Sequence, residues 1–144
     1  MINILEMKLS DLEEIKDILT TEFDDFWNYE ILKNELENST SKYFVAKNEN
    51  YEIVGFAGLK IILDEADIMN IVTKKNFRYK GIGSLLLKEL INISKDLNLK
   101  TITLEVNEEN INAINLYKKF EFKEIGTRKK YYKDKNGIIM TKKI

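Results

Sequence analysis

Seven residues near the middle of the chain combine glycine with positive charge in a pattern suited to phosphate. The stretch reads Arg78-Tyr79-Lys80-Gly81-Ile82-Gly83-Ser84 and lies between a predicted strand at 66–73 and a predicted helix at 85–97. Glycine lets the backbone approach a ligand closely, and the first N–H groups of a helix have no partner inside that helix. The helix dipole, Arg78 and Lys80 all favour negative charge at this turn. The pattern therefore predicts a pyrophosphate cradle.

Two common nucleotide-binding motifs do not fit this turn. A Walker loop needs Lys and then Ser or Thr directly after its last glycine, whereas Gly83 is followed by Ser84 and Leu85. A dinucleotide fingerprint needs a third glycine where the chain has Leu86. Arg occurs only at positions 78 and 128, and its planar fork of donors suits phosphate. A plain connecting turn stays open as the alternative.

The residue inventory narrows the chemistry that the chain can perform. It contains no His and no Cys, which excludes Ser-His-Asp triads, Cys-His pairs and zinc sites with the usual ligands. Proton transfer must then use carboxylates, Tyr, Lys or water, and we expect no metal.

Composition and charge limit the partners and the location of the protein. The net charge is −1 and no basic block stands out, so a nucleic-acid surface is not indicated. The apolar runs are too short to span a bilayer, and the N-terminus lacks a signal-peptide pattern. With 144 residues, we expect one domain over 1–144, cytoplasmic and without a membrane partner. A monomer and a homodimer both stay open.

Two residues after the glycine turn could move protons. Glu105 lies near the end of a predicted strand at 101–106, on the face opposite its apolar side chains. Tyr117 lies two helical turns after Asn110, on the same face of a predicted helix at 110–120. From the residues alone, a solvated sheet carboxylate and a core aromatic stay open as the other interpretations.

The predicted elements follow the order β-α-α-β-β-β-α-β-α-β-β. We expect strands at 2–7, 42–47, 52–63, 66–73, 101–106, 122–132 and 138–142, and helices after Ser10 and at 27–37, 85–97 and 110–120. Ser10 and Glu13 form a predicted capping box, and 133–137 a hairpin turn. The unit from 66 to 106 should be a right-handed parallel crossover in an otherwise antiparallel sheet. The fold class is α/β (α+β), with about seven strands flanked by about four helices.

Two spacings resemble the signatures of a known family. Arg78-x-x-Gly81-x-Gly83 matches Gln/Arg-x-x-Gly-x-Gly/Ala, and Asn110-x-x-Ala113-x-x-Leu116-Tyr117 matches a second signature at the family spacing. The chain is therefore similar to the GCN5-related N-acetyltransferases, which move acetyl from acetyl-CoA to an amine. Within that family it most resembles the branch that acetylates the N-terminal alanine of a ribosomal protein, through stretches such as 63–66, 104–106 and 138–140.

The resemblance implies a role for each candidate site residue. Glu105 would be the general base and Tyr117 the general acid. Acetyl-CoA would be held by Ile71, Val72, Thr73, Arg78, Tyr79, Lys80, Gly81, Ile82, Gly83, Ser84 and Asn110. The candidate walls of the acceptor site are Phe26, Trp27, Tyr131 and Tyr132, each of which could equally belong to the core. The acceptor implied is the N-terminal α-amine of a protein.

The chain departs from the family pattern at two places. Glu121 precedes Phe122 where the family usually has Gly, at a turn that favours positive φ. The hairpin after Tyr132 is shorter than in the ribosomal-protein branch and lacks that branch's acidic residue before the last strand. A small amine or a lysine side chain stays open as the acceptor, and a non-catalytic acyl-CoA-binding module stays open as another class.

Overall fold

Seven strands form one mixed sheet. The structure is a computed structural model that describes residues 1–23, 28–132 and 134–144, with only the backbone of Tyr131 and Tyr132. The strands are β1 (Asn3–Glu6), β2 (Ser41–Lys47), β3 (Ile53–Ile62), β4 (Glu65–Thr73), β5 (Thr101–Asn107), β6 (Lys123–Tyr132) and β7 (Lys135–Lys143). Their order across the sheet is β1-β2-β3-β4-β5-β7-β6. β4 and β5 are parallel and the other neighbours are antiparallel, which confirms the predicted parallel crossover.

Helices cover both faces of this sheet. In the described part of the chain they are α1 (Leu9–Ile15), α2 (Tyr29–Glu37), α3 (Ile82–Asp96) and α4 (Ile111–Lys119). After α1 the chain continues through a 3₁₀ turn, Lys16–Ile18, and one π-helical turn, Leu19–Phe23. Among the described residues, no helix has the length and apolar character needed to cross a membrane.

Two apolar clusters bury the two faces of the sheet. The larger cluster packs α3 and α4 against one face, and its members include Ile102, Leu104 and Val106 of β5. The other cluster packs α1, α2 and the π-helical turn against the opposite face. Because β5 alternates, the residues between its apolar ones face the α1–α2 side of the sheet. We refer to the two sides as the α3–α4 face and the α1–α2 face.

The first helix is capped differently from the prediction. The backbone N–H of Lys8 donates to Asp11 Oδ2 at 2.8 Å. Asp11 is buried, and its Oδ1 lies 3.1 Å from Lys47 Nζ. The predicted capping box at Ser10 and Glu13 is therefore wrong, since the helix begins at Leu9 and a carboxylate paired with a β2 lysine caps it instead.

Two predicted boundaries also move. The hairpin turn expected at 133–137 is too long, because β7 begins at Lys135 and Tyr132 pairs with Lys135. Helix α3 begins at Ile82 rather than at residue 85. This earlier start changes the geometry of the glycine turn, because Gly83 then lies in the first helical turn.

Candidate active site

The parallel strands β4 and β5 separate along their length. Their register pairs end at Asp67 and Thr103, whereas β4 continues to Thr73 and β5 to Asn107. Beyond those pairs, β4 stays hydrogen-bonded to β3 and β5 stays bonded to β7. The separation leaves a gap between the two strands, with one edge of each strand facing it. Unpaired backbone groups at such an edge are ready partners for an extended polar ligand.

The three β4 residues predicted to hold the cofactor arm lie at this gap. Ile71, Val72 and Thr73 all come after the last pair with β5. Val72 is buried, and Ile71 and Thr73 are partly buried. Their backbone can therefore line the gap while the side chain of Val72 belongs to the core of the α1–α2 face.

The glycine turn lies next to the gap with its backbone open. Gly81 precedes α3 in a left-handed conformation, with φ of 84°, and nothing lies within 4 Å of where its β-carbon would be. Ile82 is buried in the core and anchors the start of the helix. The first N–H groups of α3, from Ile82 to Ser84, have no partners within the helix and present their dipoles at this turn. This arrangement fits the predicted pyrophosphate cradle.

Gly83 brings three elements of the site together. A β-carbon at Gly83 would lie 3.9 Å from Thr73 Oγ1 on β4 and 3.8 Å from Leu116 Cδ2 on α4. The two sequence signatures, one around Gly81 and one from Asn110 to Tyr117, therefore meet at the start of α3. The Asn110 side chain caps α4 by accepting a bond from the N–H of Ala113 at 3.2 Å.

Arg78, Lys80 and Tyr79 of the glycine turn have different surroundings. Arg78 donates to the carbonyl oxygens of Phe23, at 3.3 Å, and Thr73, at 3.4 Å. Lys80 Nζ lies 5.4 Å from the centre of the Phe77 ring. Tyr79 is 88% exposed with a positive φ of 64°. Arg78 thus links the turn to the segment after α1, a contact that the sequence pattern did not predict.

Glu105 lies at the gap on the α1–α2 face, since its neighbours along β5 point to the other side. Its Oε1 lies 2.8 Å from Nη2 of Arg128 on β6. Its Oε2 is buried and has no hydrogen-bond partner among the described residues. One oxygen is therefore held by a cation and the other is free to accept a proton.

Tyr117 lies on the α3–α4 face of the sheet. It packs with the core of the α3–α4 face, and its ring centre is 5.9 Å from that of Phe122. Glu105 and Tyr117 therefore lie on opposite faces of the sheet.

The sequence reasoning missed three further polar residues. Arg128 pairs with Glu105, and the side chains of Tyr43 and Asn70 carry buried polar atoms without hydrogen-bond partners in the described chain. Burial raises the pKa of Tyr43, and the charge of Glu35 adds to that rise. A signal for Asn70 was present, since it is the polar member of an otherwise apolar stretch of β4.

Asp67 ends the parallel pairing at the gap. Burial raises the pKa of Asp67, and the charge of Glu65 raises it further.

Four aromatic residues were predicted to form the walls of the acceptor site. Phe26 and Trp27 lie outside the described residues, and Tyr131 and Tyr132 are described only as backbone of β6.

Comparison with known proteins agrees with this geometry. The model of the Acetyltransferase (GNAT) family matches residues 12–122. A [ribosomal protein bS18]-alanine N-acetyltransferase of Haemophilus influenzae is 39% identical over 77% of this chain and 74% of its own length. The crystal structure of the Escherichia coli ribosomal-protein-S18-alanine N-acetyltransferase superposes with a TM-score of 0.90 at 26% identity, over 100% of this chain and 94% of that one. Arabidopsis thaliana NAA60 in complex with acetyl-CoA shares the fold, with a TM-score of 0.84 at 20% identity, over 100% of this chain and 99% of that one.

A mixed sheet that splits at one parallel pair, with a glycine turn and a helix beside the split, defines an N-acetyltransferase fold. The chain belongs to the GNAT acetyltransferase family.

Proposed function

We propose that this protein transfers acetyl from acetyl-CoA to the N-terminal α-amine of a protein, with the alanine of ribosomal protein bS18 as the first acceptor to test. The observation that carries the proposal is the position of Glu105 at the gap, with one oxygen paired to Arg128 and the other buried and unpaired. The names of the similar enzymes from Haemophilus influenzae and Escherichia coli support this choice of acceptor.

The residues present fit acetyl-CoA. The space at Gly81 is open, and the N–H groups at the start of α3 favour the negative charge of a pyrophosphate. The edge of β4 from Ile71 to Thr73 would hold the pantetheine arm, whose amide groups match unpaired backbone groups. When bound, acetyl-CoA supplies the acetyl thioester.

Glu105 would act on the acceptor amine. An α-amine has a reference pKa of about 8, so a sizeable fraction is already neutral at pH 7. Glu105 would take the amine proton at Oε2, directly or through a water, while Arg128 holds Oε1. The amine nitrogen then forms the bond to the acetyl carbon, and no Cys or Ser nucleophile of the enzyme is needed.

Tyr117 would act on the leaving sulfur from the opposite face. Its hydroxyl would donate a proton to the sulfur as the carbon–sulfur bond breaks, which balances the proton taken by Glu105. Asn110 caps the start of the same helix through its side chain. Arg78 and Lys80 supply positive charge at the exposed turn, where phosphates would lie.

Mass spectrometry of a designed peptide tests the proposal. The peptide carries a free N-terminal Ala and one internal Lys, and it is incubated with acetyl-CoA and the protein, with cofactor binding checked by calorimetry. The proposal expects acetyl on the α-amine and none on the Lys side chain, and the same result with the N-terminal sequence of bS18. Acetyl on Lys alone, or none despite cofactor binding, would contradict it and favour a lysine or small-amine acceptor.

A further inference from the structure

Asn70 lies on the same face of the sheet as Glu105. Tyr43, Gly58 and Asn70 are in register on β2, β3 and β4. The ring of Tyr43 covers Gly58 so closely that a β-carbon there would lie 2.2 Å from it. Tyr43 belongs to the core of the α1–α2 face, as does Val72, two residues after Asn70. Cross-strand partners share a face, so Asn70 points to the α1–α2 side, the side of Glu105.

An irregularity in β4 puts Asn70 in this orientation. The register shifts between Gly58 and Leu59, so that Leu59 pairs with Ile68 while Gly58 pairs with Asn70. Met69 is therefore the extra residue of a bulge. In a regular ladder Met69 would pair with Gly58, and Asn70 would then lie opposite Ala57 and point into the α3–α4 core. Bulges beside active sites commonly redirect a side chain in this way.

The side-chain amide of Asn70 is buried, and its donor and acceptor atoms have no hydrogen-bond partners among the described residues. Both Nδ2 and Oδ1 are buried and without a partner in the described part of the chain. The amide lies close enough to the Tyr43 hydroxyl to oppose the effect of burial on the pKa of Tyr43, yet neither group reaches hydrogen-bond geometry. An unpaired buried amide costs free energy that an apolar side chain of similar shape would avoid. Such a group calls for a ligand.

Two of the side chains with buried unpaired atoms lie on the strands that border the gap. Across the described ranges, such atoms belong to Tyr43, Asn70 and Glu105 alone. The last parallel pair joins Asp67 of β4 to Thr103 of β5. Asn70 comes three residues after Asp67, with the bulge between them, and Glu105 comes two residues after Thr103. The two side chains therefore flank the gap on one face. An amine at Glu105 would place the atoms next to it near Asn70.

We propose that Asn70 binds the first peptide unit of the acceptor, a role that rests on the proposed function. Nδ2 donates to the carbonyl oxygen of the N-terminal residue, and Oδ1 accepts from the N–H of the second residue. An amide is suited to this because it offers donors and an acceptor together. The acceptor class is therefore a peptide rather than a simple alkyl amine, which has no peptide unit to pair.

The test compares Asn70→Leu and Asn70→Asp with the wild-type protein, and uses Asn92→Leu on the exposed side of α3 as the matched control. The acceptors are an Ala peptide and its depsipeptide, in which an ester oxygen replaces the first peptide N–H. Asn70→Leu should raise KM for the peptide about tenfold, which is the effect of one lost hydrogen-bonded contact. The rise in KM for the depsipeptide should be smaller. Asn70→Asp loses the Nδ2 donor and should also raise KM.

Two controls separate binding from structure. Affinity for acetyl-CoA should stay unchanged in calorimetry, and Asn70→Leu should unfold at a higher temperature than the wild type, because it removes an unpaired buried amide. Unchanged KM in both variants, or an equal loss on peptide and depsipeptide, would overturn the role of Asn70 while leaving the proposed function standing. Wild-type protein that binds acetyl-CoA but acetylates no peptide α-amine would overturn both.

Discussion

The carboxylate of Glu105 has two oxygens in different surroundings. Oε1 is paired with Arg128 and Oε2 is buried without a described partner. Arg128 is on β6 and Glu105 on β5, with β7 between them, and Gly137 stands opposite Arg128 on β7. Sequence reasoning could propose Glu105 from its place near the end of a strand. It could not propose Arg128, because the order of the last three strands decides which side chains meet.

Removing the guanidinium should weaken catalysis modestly. Arg128 is 56% exposed at its side chain, and a partly exposed ion pair contributes up to about 1 kcal/mol. Arg128→Gln should therefore lower kcat about two- to fivefold, with acetyl-CoA affinity unchanged, and Arg128→Lys should recover part of the loss. Steady-state kinetics measures this, with Lys129→Gln as the exposed control. Equal activity of Arg128→Gln and the wild type would show that the pair does not orient Glu105.

The elements of the site were predicted better than their ends. The parallel crossover, the glycine turn and the Asn110–Tyr117 helix follow from periodicity and spacing, because those signals are local. The start of α3 and the cap of α1 were missed. The cap depends on Asp11 meeting Lys47 from β2, and no local pattern contains that contact. The residues at which β4 separates from β5 and the bulge at Met69 could not be predicted, since both depend on the register of strand pairing.

One local expectation about an element end is confirmed. Glu121, just after α4, has a φ of 70° where the family pattern has Gly. A non-glycine residue in that region carries strain of about 1–2 kcal/mol. Glu121→Gly should therefore raise stability by about 1 kcal/mol, with a shift of a few degrees in Tm.

Thermal unfolding checks this, and the control is Glu124→Gly. Glu124 is exposed on β6 and is not among the residues with positive φ. Glycine there should destabilise the protein, since it adds backbone freedom without relieving strain. Destabilisation by both substitutions would contradict the strain at Glu121.

At the scale of the whole molecule, cations join the acceptor side to the cofactor side. Lys74, the residue directly after β4, lies 2.8 Å from Glu52 Oε2 and 3.5 Å from Glu22 Oε1 in the π-helical turn. Arg78 adds its bond to the Phe23 carbonyl. The segment after α1, which precedes the predicted acceptor wall, is therefore fastened to the strand that lines the gap.

This connection should depend on pH. Hydrogen bonding to Lys74 lowers the pKa of Glu52, and Glu52 in turn raises the pKa of Lys74. The pair therefore stabilises the folded state at pH values between the unfolded pKa of Glu52 and the unfolded pKa of Lys74. Its contribution falls when acid protonates Glu52, and also when strong alkali deprotonates Lys74. Lys74→Gln should lower Tm at pH 7, and the difference from the wild type should shrink towards pH 3.

The matched control is Lys75→Gln, because Lys75 is the exposed next residue. Its Tm should follow that of the wild type at both pH values. A Lys74→Gln deficit that stays constant down to pH 3 would contradict the ion pair as its cause.

The central claim is that Glu105 takes the proton of the acceptor amine. Its most direct test is the turnover of Glu105→Gln on an Ala peptide, with acetyl-CoA affinity measured by calorimetry and Glu124→Gln as the same change at an exposed strand position. Glu105→Gln should lower kcat by about 10²–10⁴-fold, the usual contribution of a general base, with cofactor affinity and Tm nearly unchanged. If Glu105→Gln turned over as fast as the wild-type protein from pH 6 to pH 9, Glu105 would not be the general base and would be a structural carboxylate.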